Sequence, residues 1–301
     1  MAGSIRNEIG ELKKKRNAVI LAHNYQIPEV QDIADYVGDS LGLARKAAKT
    51  DADVIVFCGV MFMAETAKIL SPEKKVLIPD PHAGCPLAAM SSVQAVRKLR
   101  NENPGVPVVA YVNTDAEVKA IADICCTSSN MEEVVNFLDS GKVIFVPDRN
   151  MADYIRKRTG KQVITAAGYC PTHQKIFPEH VAMQKKLHPG AKVLAHPECL
   201  PAVISMADAI TSTGGMVSYA KESPADEFII ATEKEMAYRL SREIPGKKFY
   251  PASGTAVCPN MKKTDLSKVL LALREMRHEV NVPEDVRKKA LISIERMLEL
   301  S

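Results

Sequence analysis

The sequence contains three copies of one segment, and each copy ends in a Cys-Pro dipeptide. Each copy opens with a short apolar strand pattern, and the residue after that pattern serves as its origin: His23, Tyr111 or His196. An aspartate follows each origin by 12 positions, a serine or threonine by 17 and a methionine by 40: Asp35, Asp123, Asp208, Ser40, Ser128, Thr213, Met63, Met151 and Met236. The dipeptides follow the origins by 62, 59 and 62 positions: Cys85-Pro86, Cys170-Pro171 and Cys258-Pro259. So many shared offsets indicate a triplicated chain, in which equivalent residues occupy equivalent places in three modules.

Each module alternates short apolar segments with segments of helical spacing. In module one the pattern predicts strands at 17–22, 54–57 and 76–79 and helices at 33–48 and 63–70. The other modules repeat this order, with strands at 108–111, 143–146, 162–165, 192–195, 228–231 and 247–250 and helices at 132–138, 151–158 and 234–242. Such alternation implies parallel sheets covered by helices, with the loops after the strands at one sheet edge. The predicted fold class is α/β, with three pseudo-threefold-related αβα domains that converge on a central metallocluster.

The modules are expected to follow one another along the chain, with Pro/Gly punctuation near 103–105 and 188–190. We predict module one at residues 1–86 and 260–301, module two at 87–171 and module three at 172–259. The tail has two amphipathic segments, 266–278 and 283–300, which we expect to pack with the N-terminal helix around module one.

Three of the seven cysteines recur in register, and if the modules share an axis, Cys85, Cys170 and Cys258 meet on it as metal ligands. The sequence has no Cys-x-x-Cys motif, which argues against a zinc ribbon or a ferredoxin-type ligand run. Three thiolates without a fourth suit a [4Fe–4S] cluster with one open iron, able to act as a Lewis acid. The alternative is that each Cys-Pro merely ends a strand with a small buried residue. The other cysteines lack equivalents and are interpreted as buried apolar residues: Cys58, Cys125, Cys126 and Cys199.

Polar residues follow the first strand of each module. The three loops are His23-Asn24-Tyr25, Tyr111-Val112-Asn113 and His196-Pro197-Glu198, a set suited to proton transfer and to binding an anionic substrate. Ser40, Ser128 and Thr213 are expected at helix starts or loop bends, where they either cap a helix or bind a phosphate. His173 lies three residues after Cys170 and could ligate a metal or donate a proton, although it has no equivalent in the other modules.

Charge and composition exclude several classes of function. The net charge of +4 comes from 40 basic and 36 acidic residues, and the basic run Lys13–Arg16 is typical of a solvated helix face, so nucleic acid is not an expected partner. No apolar run approaches the roughly 20 residues that span a bilayer, and no signal-peptide pattern opens the sequence, so we expect a cytoplasmic protein without a membrane partner. Dinucleotide and Walker motifs are absent.

These residues closely resemble the quinolinate synthase family. The resemblance covers nearly the whole chain through short motifs: Leu-Ala-His-Asn-Tyr-Gln (21–26), Gly-Asp-Ser-Leu (38–41), Phe-Met-Ala-Glu (62–65), Tyr-Val-Asn (111–113), Cys-Thr-Ser (126–128), Pro-Asp-Arg-Asn (147–150), His-Pro-Glu-Cys (196–199), Ser-Thr-Gly-Gly-Met (212–216) and Val-Cys-Pro-Asn-Met-Lys (257–262). It implies three αβα domains around a [4Fe–4S] cluster with three Cys ligands. The implied reaction is a transferase condensation of iminoaspartate with dihydroxyacetone phosphate to quinolinate, phosphate and water, coupled to an iminoaspartate-producing enzyme.

Carried over by position, the resemblance makes Cys85, Cys170 and Cys258 the cluster ligands. It places around the substrates His23, Tyr25, Ser40, Tyr111, Asn113, Ser128, His196, Glu198 and Thr213, and His173 is added to this substrate-binding set. We assign catalytic roles to Glu198 as base, supported by His196, and to Tyr25 as proton donor, with His23 and Tyr111 beside them. The sequence departs from the family at two places. One is Asn113-Thr114-Asp115, and the other is Ser129, a position at which Ala is common in the family. An aconitase-type hydro-lyase and a non-enzymatic iron–sulfur sensor remain alternatives.

Overall fold

The chain, seen in a computed structural model that describes residues 2–300, forms three four-stranded parallel sheets with one shared strand order. The first sheet contains β1 (Ala18–His23), β2 (Tyr36–Gly38), β3 (Val54–Cys58) and β4 (Lys75–Leu77), in the order β2-β1-β3-β4. The second contains β5 (Val108–Tyr111), β6 (Ile124–Cys126), β7 (Lys142–Val146) and β8 (Gln162–Thr165), and the third β9 (Lys192–Ala195), β10 (Ala209–Ile210), β11 (Glu227–Ala231) and β12 (Lys248–Pro251). The predicted fold class, α/β with three αβα domains, is confirmed.

Helices join the strands of each sheet. They are α1 (Ala2–Lys15), α2 (Pro28–Gln31), α3 (Ser40–Lys49), α4 (Met61–Leu70), α5 (Pro86–Ala89), α6 (Val93–Glu102), α7 (Ala116–Lys119), α8 (Met131–Phe137), α9 (Arg149–Thr159), α10 (Pro178–Leu187), α11 (Pro201–Ile204), α12 (Thr213–Glu222), α13 (Glu235–Glu243), α14 (Leu266–Glu275) and α15 (Glu284–Glu299), with 3₁₀ turns at His173–Lys175 and Met261–Lys263. The inner strands are continuous apolar runs because both of their faces are covered, and all five residues of β3 are buried. None of the described helices is long and apolar enough to cross a membrane.

The edge strands β2, β6 and β10 were not predicted. The helix predicted at 33–48 is therefore wrong in its first half, where β2 occupies residues 36–38 before α3 begins at Ser40. An edge strand of two or three residues is too short to show the alternation that marks a strand. The apolar residues of the loop and of α3 together fit the spacing of one longer helix, so the two segments were predicted as a single element.

The aspartates that recur 12 positions after each origin fasten these short edge strands to the central strands. The carboxylates of Asp35, Asp123 and Asp208 accept hydrogen bonds from the backbone N–H of Ile20, Val108 and Val193, at 2.7, 2.7 and 2.8 Å. The N–H of each aspartate donates in turn to the carbonyl of the same central-strand residue. This double contact explains why an aspartate is kept at the same offset in all three modules.

The tail helices divide between two modules. Helix α14 packs with α1 on the first sheet, where Leu270 and Leu273 join Ile9 in one apolar cluster, as expected. Helix α15 packs against α4 of module one and also against β6 and α7 of module two, where the Ser293 hydroxyl donates to the Lys119 carbonyl at 2.8 Å. The packing of α15 on module two was not expected. The exact module boundaries stay a prediction.

Replacing Asp123 with Ala should lower the free energy of unfolding by about 1–3 kcal/mol, because the Val108 N–H loses a charged hydrogen-bond acceptor. Urea unfolding at neutral pH measures this change. The matched control is Asp139→Ala, at an exposed loop position. Equal stability of the two variants would show that the repeated aspartate does not fasten the edge strand.

Candidate functional site

One cavity of about 140 Å³ lies where the loops of the three modules converge. Because β1, β5 and β9 are equivalent strands of parallel sheets, the residues that follow them lie at the carboxyl edge of each sheet. All residues that the sequence nominated line this cavity: His23, Tyr25, Ser40, Cys85, Tyr111, Asn113, Ser128, Cys170, His173, His196, Glu198, Thr213 and Cys258. The structure therefore brings every nominated residue together, and the role of each stays a prediction.

The three Cys-Pro loops are attached to the body of their modules in the same way. In each module the third residue after the third strand in chain order donates its backbone N–H to the carbonyl two residues before the cysteine. The donor and acceptor pairs are Met61 to Ala83 (2.8 Å), Arg149 to Gly168 (2.9 Å) and Lys234 to Ala256 (3.0 Å). The repeat thus places the three cysteines at equivalent positions of the cavity wall.

The three thiols are free and half-buried, and they open on the shared cavity. Burial raises the pKa of Cys85 to about 12 and also raises the pKa values of Cys170 and Cys258. Thiols in this setting stay protonated unless a cation binds them, and metal ligation removes the proton. The other four cysteines are fully buried, as predicted: Cys58, Cys125, Cys126 and Cys199.

Glu198 carries a buried carboxylate that is held by two histidines. Its Oε2 atom lies 3.0 Å from Nδ1 of His173 and 3.3 Å from Nδ1 of His196, and the side chain is 4 % exposed. Burial alone would raise the pKa of Glu198, but the interaction with His173 outweighs it and lowers this pKa. Glu198 is therefore an ionised carboxylate in a nearly dry site.

His173 joins this carboxylate to Tyr25 through Thr232. The His173 Nε2 atom lies 2.8 Å from the Thr232 hydroxyl, which lies 2.5 Å from the Tyr25 hydroxyl. An ionised Glu198 can only accept, so Nδ1 of His173 carries a proton and donates to it. Either hydroxyl can be the donor in the contact between Thr232 and Tyr25. These contacts connect the phenol to the carboxylate through Thr232 and His173.

His23 and His196 are neutral rings with matching environments. The backbone N–H of Tyr25 donates to Nδ1 of His23 at 3.2 Å, and that of Glu198 donates to Nδ1 of His196 at 3.3 Å. Burial lowers the pKa of His23 to about 4 and lowers that of His196. With Nδ1 accepting from the Tyr25 N–H, the His23 ring carries its proton on Nε2 and can donate from there.

Two buried oxygen atoms in the cavity wall have no partner within the described residues. They are Oε1 of Glu198 and Oδ1 of Asn113. A buried acceptor without a donor is costly, so such atoms indicate where a polar ligand binds. Burial and the Glu198 charge raise the pKa of Tyr25 and Tyr111, so both phenols stay protonated and can donate to the same ligand.

Hydroxyl groups and helix starts form another part of the wall. Ser40 begins α3 and Thr213 begins α12, whereas Ser128 lies in a turn before α8. The Asp39 carboxylate accepts from Ser129 of module two at 2.9 Å and from Ser212 of module three at 3.3 Å. Two helix N-termini beside three hydroxyls favour an anion at this place.

Sequence reasoning missed Thr232, Asp39 and Lys175. Thr232 has no counterpart in the repeat, because Gly59 and Pro147 stand at the equivalent positions. Asp39 could have been found as the helix cap in Gly-Asp-Ser, since its side chain accepts from the Gly42 N–H. Lys175 is exposed and is the one Lys or Arg that lines the cavity within residues 2–300.

Comparisons with known proteins agree over nearly the whole chain. The family described as "Quinolinate synthetase A protein" matches residues 7–299. A quinolinate synthase of Dehalococcoides mccartyi strain CBDB1 is 56% identical over 294 residues, which cover 98% of this chain and 97% of the relative. The quinolinate synthase of Pyrococcus furiosus is 54% identical over 299 residues, covering 99% and 98%. Quinolinate synthase 1 of Methanosarcina acetivorans is 53% identical over 290 residues, covering 96% and 95%.

The buried His23 ring should make stability depend on pH. The folded protein holds its pKa near 4, against 6.5 for an ordinary histidine, so the unfolded chain takes up this proton first as the pH falls. The contribution of the neutral His23 ring to the free energy of unfolding is fully present above pH 6.5. It falls by about 3 kcal/mol as the pH drops from 6.5 to 4. Urea unfolding of the wild type and of His23→Gln at several pH values measures it as the difference between the two curves. A flat difference between pH 4 and 6.5 would contradict it, and His82→Gln is the exposed control.

Proposed function

The chain belongs to the quinolinate synthase family, and we propose that its cavity condenses iminoaspartate with dihydroxyacetone phosphate to quinolinate, phosphate and water, a transferase reaction. The observation that carries this proposal is that one cysteine from each module opens on the same cavity as the buried Glu198–His173 pair. A redox or structural metal site would not require an ionised carboxylate with an unpartnered oxygen beside it. A site that moves protons on a bound substrate does.

The three cysteines suit a [4Fe–4S] cluster as cofactor. Cys85, Cys170 and Cys258 are free, and no fourth cysteine lines the cavity in the part of the chain that the structure describes. Three protein ligands leave one iron open, and the bound cluster would supply a Lewis acid for a carboxylate or hydroxyl of the substrate. The raised thiol pKa values agree with a site that needs a cationic partner to become charged.

Glu198 and Tyr25 transfer the protons of the reaction. The free Oε1 atom of Glu198 accepts a proton from carbon or oxygen of the substrate, since the carboxylate is ionised and its other oxygen is bound to His173. The phenol of Tyr25 stays protonated and donates to an oxygen that leaves as water or phosphate. Thr232 and His173 hold this donor and this acceptor in a fixed relation. His196, stacked on His173 with ring centroids 4.8 Å apart, supports the pair.

Substrate binding is divided along the cavity. The hydroxyls of Ser40, Ser128 and Thr213, with the N-termini of α3 and α12, bind the phosphate of the triose. The Nε2–H of His23, the Tyr111 phenol and the Asn113 amide bind carboxylate and carbonyl oxygens of the reacting atoms. The supply of iminoaspartate by another enzyme and the cytoplasmic location stay predictions from the sequence.

Replacing any one of Cys85, Cys170 or Cys258 with Ala should abolish the cluster, because each supplies a third of its protein ligands. Anaerobic reconstitution followed by iron analysis and visible absorption measures the loss. Cys58→Ala is the matched control, since this cysteine is buried in β3 away from the cavity. Equal iron loss in the control, or full iron content in all three variants, would refute the ligand set.

Glu198→Gln should keep the cluster and bind both substrates but lose turnover by about 10²- to 10⁴-fold, the usual effect of removing a positioned general base. The measurement is quinolinate formation from iminoaspartate and dihydroxyacetone phosphate, with the exposed Glu73→Gln as control. Near-normal turnover would move the base role to another group. Cluster-loaded wild-type protein that forms no quinolinate would refute the proposed function and leave the hydro-lyase or the sensor.

A further inference from the structure

In two of the three Cys-Pro loops, a buried carboxylate accepts a hydrogen bond from the backbone N–H of the cysteine. The position two residues after the third strand in chain order is Val60 in module one, Asp148 in module two and Glu233 in module three. Asp148 accepts a hydrogen bond from the Cys170 backbone N–H, and Glu233 accepts one from the Cys258 N–H, both at 3.2 Å. Both acidic side chains are fully buried.

The two carboxylates also bind the helix that follows them. The second oxygen of Asp148 accepts from the N–H groups of Asn150 and Met151, both at 2.9 Å, and that of Glu233 accepts from the Glu235 N–H at 2.9 Å. Each side chain therefore ties a cysteine backbone to a helix start. Helix α4 begins after Val60 without such a side chain, so a carboxylate is not needed to start the helix.

The Cys170 and Cys258 loops are also packed closely against neighbouring groups. A side chain at Gly168, two residues before Cys170, would meet the Pro147 carbonyl at 2.5 Å. The Glu233 carboxylate is paired with the Lys262 ammonium at 2.8 Å, and this ammonium also donates to the carbonyl of Tyr25. The Cys258 loop is thereby tied to the loop that carries the proposed proton donor.

We infer that Asp148 and Glu233 are positioning residues that orient the Cys170 and Cys258 thiols for the cluster. A hydrogen bond to the backbone N–H fixes the Cα atom and so limits the directions in which the thiol can point. Partners of this kind in other metal sites typically change metal affinity 10- to 100-fold when removed. The inference rests on the proposed function, because it takes these cysteines as cluster ligands.

The substitution Asp148→Asn separates this role from helix capping. Asparagine caps a helix about as well as aspartate but has one acceptor oxygen, so the helix cap can stay while the Cys170 N–H faces an amide NH₂. Glu233→Gln makes the corresponding change at Cys258. The matched control is Asp265→Asn, which makes the same change at the cap of α14. Among residues 2–300, this side chain accepts from the Lys268 N–H alone.

The experiment follows iron transfer from the anaerobically reconstituted full chain to a ferrous chelator, together with the electron paramagnetic resonance spectrum of the reduced cluster. We expect iron to leave Asp148→Asn and Glu233→Gln about 10- to 100-fold faster than the wild type and the spectrum to change. Asp265→Asn should match the wild type in both measurements. Wild-type release rates in both variants would overturn the inference, as would a faster release that simply parallels a lower urea midpoint. A wild-type chain that takes up no cluster would instead refute the proposed cofactor.

Discussion

The site depends on three central strands that end at one place. A parallel sheet puts the residues after its strands at a single edge, and here β1, β5 and β9 each have an edge strand fastened to them by an aspartate. Those edge strands lead directly into the segments that carry Ser40, Ser128 and Thr213. Backbone pairing therefore sets where these three segments begin, and the Asn24 amide also donates to the Thr213 hydroxyl at 2.8 Å.

A full negative charge lies at the centre of this arrangement. Removing a carboxylate from water costs several kcal/mol unless a partner offsets the loss. His173 is that partner for Glu198, and it is oriented by Thr232 on its other side. The same contact lowers the pKa of Glu198 and keeps it ionised, so its Oε1 atom can accept a proton from a bound substrate. Thr232 is a neutral residue that acts on the Glu198 carboxylate only through His173.

The repeat made most of the cavity predictable. Residues such as Glu198 and Tyr25 stand two positions after an origin, and Ser128 stands at the shared hydroxyl position, so each was found by comparison with its equivalents. His173 and Thr232 have no equivalents, and their importance comes from hydrogen bonds between segments about 60 residues apart, which no local pattern records. The strand β2 was missed because three residues carry too little periodicity. The packing of α15 on module two was missed because an amphipathic pattern does not identify the surface that covers its apolar face.

The tandem arrangement permits something that three identical chains could not achieve. At the position two residues after the origin the modules carry Tyr25, Asn113 and Glu198, so one phenol, one amide and one carboxylate face a common centre. A trimer of one such module would have to present the same residue three times. Three glutamates in a ring would repel one another and would titrate together, and three phenols would leave the centre without a base. Covalent fusion let the copies diverge, so a symmetric frame now encloses an asymmetric set of reactive groups.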